Sequence, residues 1–209
     1  MFPIRNIHGN TVGFTARLLD PEAKEAKYIN TPQTSIYNKS AVIYGLDKAK
    51  RAIQQEDLAV MVEGNMDVIT SHRVGVKNAI ASSGTALTAE QVSVIKRYTQ
   101  NIAFAFDADS AGQTAVKRGI DMALASDMNV SVIILAGAKD PDELANRDPE
   151  LWKKAIKERI GAMEYYFSTT KKNFDLNSAS GKKQASVYLL AEIAKIKNRV
   201  EQSHWLQQL

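Results

Sequence analysis

Residues 58–67 read Leu58-Ala59-Val60-Met61-Val62-Glu63-Gly64-Asn65-Met66-Asp67, an unbroken apolar run that ends on a carboxylate and a glycine. A run of this length, apolar at every position, suits a strand that is covered on both faces. Working outward, the same pattern recurs. Leu58 to Val62 is followed by the amphipathic stretch Asp67 to Val74, Asn78 to Ala81 by Thr88 to Tyr98, and Ile102 to Phe106 by Ala111 to Ala125, before a last apolar run from Val130 to Leu135. Strand and helix alternating in this way predict an α/β fold, a parallel sheet flanked by helices.

The flanks differ in character. Residues 1–54 hold short β-like runs, Thr11-Val12-Gly13-Phe14 and Ala41-Val42-Ile43-Tyr44, between Gly, Pro and Asn, and read as a small, basic α+β segment with too little core to stand alone. Residues 55–146 form the α/β domain, and residues 147–209 read as a helical bundle packed on it. Asp148-Pro149-Glu150 offers a capping side chain with proline at the first helical position. Leu151, Trp152, Ile156, Ile160 and Met163 then recur at helical spacing, as do Leu189, Ile193, Ile196 and Val200, with a polar break at Asn177 to Gly181 between the two sets.

Composition narrows the chemistry. The chain has 209 residues, 44% hydrophobic and 24% charged, enough for a sizeable core. No apolar run is long enough to span a membrane, and Met1-Phe2-Pro3-Ile4-Arg5 is not laid out as a secretion signal, so a cytoplasmic protein is expected. With no cysteine, and with His8, His72 and His204 scattered, a zinc site is excluded, and any metal must be a hard ion held by oxygen. Charge is unevenly spread. Residues 1–51 carry eight Lys or Arg against four Asp or Glu, whereas the remainder carries nineteen of each. A basic N-terminal quarter suits a polyanionic partner, and equally suits an ordinary solvated face.

Carboxylates follow three of the apolar runs. Glu63 comes directly after Val62, Asp107 and Asp109 after Phe106, and Asp140 and Asp142 shortly after Leu135. Singly, each has an ordinary reading as a turn residue or a helix cap. Jointly, they sit at the same end of parallel strands, the edge where open α/β sheets bind ligands. Carboxylates gathered there repel one another unless cations lie among them, which points to a site for Mg2+ or Mn2+.

Glu63-Gly64-Asn65-Met66-Asp67, Asp107-Ala108-Asp109-Ser110-Ala111-Gly112 and Lys139-Asp140-Pro141-Asp142-Glu143 resemble, in order and spacing, the Toprim domain of primases and topoisomerases. Upstream, Gly13-Phe14-Thr15-Ala16-Arg17, Lys27-Tyr28-Ile29-Asn30-Thr31-Pro32-Gln33-Thr34, Tyr37-Asn38-Lys39 and Tyr44-Gly45-Leu46 are similar to the segment that precedes that domain in bacterial DnaG-type primases. Ser83-Gly84-Thr85-Ala86-Leu87-Thr88 matches the loop after the family's second Toprim strand. Asn65 stands where an aromatic is common and Ala108 where glycine is usual; neither change removes a carboxylate.

The resemblance implies a Toprim-type fold and a DNA-templated RNA polymerase core that makes short RNA primers on single-stranded DNA by two-metal nucleotidyl transfer. It implies that Asp107, Asp109 and Asp142, with Asp140 or Glu63 assisting, hold the ions, and leaves Glu63 open as ligand or as proton acceptor. Arg17, Lys27, Asn30 and Lys39 match positions that contact nucleotide or nucleic acid. Expected partners are the template strand, ribonucleoside triphosphates and the RNA primer, with a replicative helicase reached through a domain beyond this chain, which is expected to be monomeric. Two alternatives are another Toprim enzyme, a topoisomerase or nuclease, and a catalytically silent nucleic-acid-binding scaffold.

Overall fold

The apolar run at 58–62 becomes the inner strand of a sheet. The computed structural model describes residues 1–18, 28–82, 86–106 and 110–209, with only the backbone described over 110–116. In chain order these residues form β1 (Phe2–Arg5), β2 (Thr11–Arg17), β3 (Tyr28–Asn30), α1 (Leu46–Glu56), β4 (Ala59–Val62), α2 (Asn65–Arg73), β5 (Ala79–Ala81), α3 (Ala89–Ile95), β6 (Asn101–Ala105), α4 (Ser110–Ala125) and β7 (Asn129–Val132). They continue with α5 (Pro141–Arg147), α6 (Pro149–Lys157), β8 (Ile160–Gly161), α7 (Ala162–Asn173), α8 (Ala179–Ile193) and α9 (Arg199–Gln207).

The main sheet has the order β5-β4-β6-β7-β8, its first four strands parallel and β8 antiparallel to β7. Every residue of β4 is buried because successive side chains serve different cores. Ala59 and Met61 join Ile102, Phe104, Ile53, Val92, Ile95 and Ile120 on one face. Val60 and Val62 join Ala103, Ala105, Val68, Leu144 and Trp152 on the other. The helices follow from this. The step from β4 to β5 runs one way along the sheet with α2 on one face, while the steps to β6 and β7 run the other way with α3 and α4 on the opposite face, as right-handed crossovers require.

Gly119 on α4 is set by close approach: a Cβ there would lie 2.8 Å from Cε1 of Phe104 on β6. Gly45 is demanded twice over, by a φ of +81° at the start of α1 and by Val68, whose Cγ1 would lie 2.7 Å from an added Cβ.

The N-terminal segment forms a separate antiparallel sheet, β1-β2-β3, over the small cluster Ile4, Val12 and Tyr37. It leans on the main domain. Tyr44 exchanges backbone hydrogen bonds with Ala81 at the edge of β5 (2.8 and 3.1 Å), Gln91 Nε2 donates to the Val42 carbonyl at 2.8 Å, and Lys50 Nζ donates to the Ile7 carbonyl at 2.9 Å. This contact covers an edge strand that would otherwise present unpaired backbone groups.

At the other end, α8 is fastened to α4 by charge. Glu192, buried, accepts from Lys117 and, at 2.7 Å, from Lys195, which also reaches Asp121 at 2.7 Å. Burial pulls the Lys195 ammonium down, but its hydrogen bonds to Asp121 and Glu192 outweigh that and its pKa is raised.

Several elements depart from the pattern in the sequence. Ala41 to Tyr44, β-like by composition, makes only the single bridge at Tyr44 and leads into α1, whose Leu46, Ala49 and Ile53 face the core. The helical spacing from Leu151 to Met163 is split: α6 ends at Lys157, and Ile160 pairs with Val132 to add the antiparallel edge strand β8. The second pattern is split too, because Asn198 caps a new helix, α9, with its side chain accepting from the Val200 and Glu201 amides. The polar break falls earlier than expected, with Ser178 capping α8 and Gly181 inside that helix.

Candidate functional site

Strand order fixes where a site can form. β4 lies beside β6, and the chain leaves β4 toward β5 but leaves β6 the opposite way, toward β7, which opens a crevice beyond the carboxyl ends of β4 and β6. Those ends are level, since Val62 pairs with Ala105. Glu63 follows directly and is half-buried. Asp107 and Asp109, which follow β6 in the sequence, lie outside the described residues, as does Lys27.

The turn after β4 is tied to the third acidic segment by one buried carboxylate. Asp67 accepts from the Gly64 amide through Oδ2 at 2.9 Å, which satisfies a backbone donor at the start of α2, and from the Asp142 amide through Oδ1 at 3.1 Å. It is 7% exposed. Residues far apart in sequence are thereby held side by side, with α2 packed on α5. Asp142 itself accepts from Thr70 Oγ1 and from Asn146 Nδ2, so both of these partners are uncharged. Trp152, wholly buried, supports the pair from below, its Nε1 donating to Ser71 Oγ on α2 at 3.2 Å.

Asp140 performs the capping role open to it from sequence. It precedes Pro141 at the first position of α5, its Oδ1 accepts from the Glu143 amide at 2.7 Å, and its Oδ2 lies 3.7 Å from Lys139 Nζ. That lysine is largely exposed, so the ion pair is weak. Among the described residues no group of three Asp, Glu, His or Cys side chains gathers as a metal site. The donors that lie along this edge, Glu63, Asp140 and Asp142, are all carboxylate oxygens, a set that fits a hard divalent cation.

On the N-terminal sheet, Arg17 pairs with Tyr28 and Thr15 with Asn30, so the period of two puts all four on one face. The exposed Arg17 guanidinium sits 5.8 Å from the Tyr28 ring centroid. Lys39 lies apart from them, on the loop that packs against α3, where its carbonyl accepts from Gln91 Nε2 at 3.4 Å.

Sequence reasoning placed Asp67 in the motif without giving it a role, although an acid in the first turn of a helix is a recognisable partner for the free amides there. Nothing in the sequence marked Thr70 as the partner of Asp142.

Comparison with known proteins bears on each part of the chain. The family model described as the N-terminal domain of the DNA primase catalytic core matches residues 1–50, a Toprim-like model matches residues 60–145, and one described as the DnaB-helicase binding domain of primase matches residues 163–209. The last corrects the expectation that a helicase-binding segment lies only beyond this chain.

DNA primase from Listeria monocytogenes is 34% identical over 212 residues, covering 100% of this chain and 34% of that protein. DNA primase from Synechococcus elongatus is 43% identical over 153 residues, covering 70% of this chain and 22% of that protein. The chain thus spans about a third or less of the curated relatives it matches. The crystal structure of the RNA polymerase domain of Mycobacterium tuberculosis primase DnaG is 31% identical with a TM-score of 0.84, covering 99% of this chain and 68% of that one. A DNA primase domain from Pseudomonas aeruginosa is 29% identical with a TM-score of 0.85, covering 100% and 66%.

Proposed function

Because this chain belongs to the bacterial DnaG-type DNA primase family, we propose that it is a primase catalytic core, joining ribonucleotides into short RNA primers on single-stranded DNA in the cytoplasm. We assign residues 1–54 to a basic subdomain that guides substrate, 55–146 to the Toprim catalytic domain and 147–209 to the helical subdomain. The observation that carries the reading is the tie from Asp67 to the Asp142 amide, which holds the β4–α2 turn and the start of α5 at one edge of the sheet.

The Toprim primase family uses divalent metal. In this chain Glu63, Asp107, Asp109 and Asp142 would hold Mg2+ or Mn2+, with Asp140 contributing through the oxygen not spent on its cap. Bound there, such ions offset the charge that builds on the attacking and leaving oxygens of an in-line displacement at phosphorus. Glu63, first after β4, is also placed to take the proton of the attacking 3'-hydroxyl. Arg17, Lys27, Asn30 and Lys39 bind the triphosphate or the template backbone, where charge matters more than base identity. A monomer suffices for this chemistry. Residues 163–209 contact the replicative helicase.

Extension of a pre-annealed RNA primer on a DNA template, with Mg2+ or Mn2+, tests the assignment. The wild-type chain extends the primer, and Asp107→Ala abolishes extension with the fold intact. Full activity in that variant, or plasmid relaxation or nicking in place of incorporation, refutes it.

A further inference from the structure

A groove of about 540 Å³ is lined by α7, α8 and the last residues, Gln208 and Leu209, and none of its lining residues belongs to the acidic edge. Phe167, Leu176 and Leu189 form its apolar floor, and Lys171, Lys182 and Lys183 stand exposed around it. No acidic side chain lines it, and none of the three lysines takes part in a salt bridge among the described residues. Its surroundings share this bias: residues 163–209 carry seven Lys or Arg against four Asp or Glu.

We propose that this groove docks an acidic amphipathic helical segment of a partner protein. Its apolar side chains fill the floor between Phe167, Leu176 and Leu189, and its Asp and Glu residues meet Lys171, Lys182 and Lys183. Single-stranded nucleic acid fits less well. Bases bind by stacking on free ring faces, and the Phe167 ring is already packed on Trp205 at 5.5 Å. The inference rests on the proposed function in one respect, that residues 163–209 bind a partner; the acidic, apolar chemistry comes from the groove.

The test is selection of a displayed library of random dodecapeptides on the full chain, followed by anisotropy titration with a fluorescein-labelled winner. The expected winners combine Asp or Glu with Leu, Phe or Trp at helical spacing, and their affinity falls as salt rises. Binding weakens on the order of tenfold or more in Lys182→Glu/Lys183→Glu, which reverses exposed charges, and in Ser186→Trp, which fills the groove from a half-buried position. Primer extension and the unfolding midpoint of both variants match wild type.

Recovery of no acidic-apolar class, or equal binding to both variants, overturns the proposal. So does loss of oligo(dT) binding or of primer extension in the folded variants, which would make the groove a nucleic-acid or catalytic surface. If the wild-type chain bound the peptide but extended no primer, the docking proposal would stand and the catalytic assignment alone would fail.

Discussion

Replacing Asp67 by alanine removes the tie between the two acidic segments, and its cost can be worked from two bonds. The carboxylate accepts from the Gly64 amide at 2.9 Å and from the Asp142 amide at 3.1 Å. A hydrogen bond to a charged group contributes about 1.5–3 kcal/mol, and its loss leaves a donor to find water. Gly64 and Asp142 are each half-buried, so water reaches the freed amides in part and the lower end applies. The expected loss is about 3 kcal/mol, or a fall in Tm of about 6–12 °C for a domain of this size. Asp67→Asn keeps one acceptor oxygen and should lose about half as much. Urea unfolding followed by fluorescence reads this in a Trp205→Phe background, because Trp152 is wholly buried and bonded to Ser71 on the same helix as Asp67. A loss below about 1 kcal/mol for the alanine variant would refute the view that this carboxylate holds the segments together.

Three other perturbations have defined outcomes. Burial lowers the pKa of His72 from its ordinary 6.5, with its hydrogen bond to the Ala79 carbonyl opposing in part. The stability it contributes is therefore full above 6.5 and lost as pH falls toward its folded value, so urea midpoints between pH 7 and 5 should drop more steeply in wild type than in His72→Gln. Glu192→Ala strands Lys117 and Lys195, but both lysines are 38% exposed and Asp121 remains, so calorimetry should show a loss of about 1–3 kcal/mol, less than for a fully buried pair. Gly119→Ala sets a helix gain of about 0.5–1 kcal/mol against overpacking of about 1–3 kcal/mol, given the 2.8 Å approach to Phe104. Overpacking wins, and a lowered denaturation midpoint checks it.

β4, β5 and β6 were legible because they are buried on both faces and so read as apolar runs. Asp148-Pro149 was equally legible, since a cap followed by proline is a local signal, and Asp148 does accept from the Glu150 and Leu151 amides. What was hidden depended on tertiary context. β8 has only Ile160 and Gly161, and nothing local separates it from the helical spacing around it; pairing with β7 decides its state. α1 was masked by the β-like composition just before it. The identities of the acidic residues were readable in the sequence, but the bond between Asp67 and the amide of Asp142, 75 residues away, was not. The same holds for the groove beside α7 and α8, which arises from packing of those helices with the last residues, Gln208 and Leu209, whereas helical spacing shows only that each helix has a buried side.

Anomalous scattering from Mn2+-soaked crystals bears most directly on the catalytic assignment. The account predicts ion peaks at coordination distance, roughly 2.0–2.6 Å, from carboxylate oxygens of Asp107, Asp109 and Asp142, beyond the ends of β4 and β6. Crystals that show no peak at this edge, or Mn2+ bound only elsewhere, would contradict it.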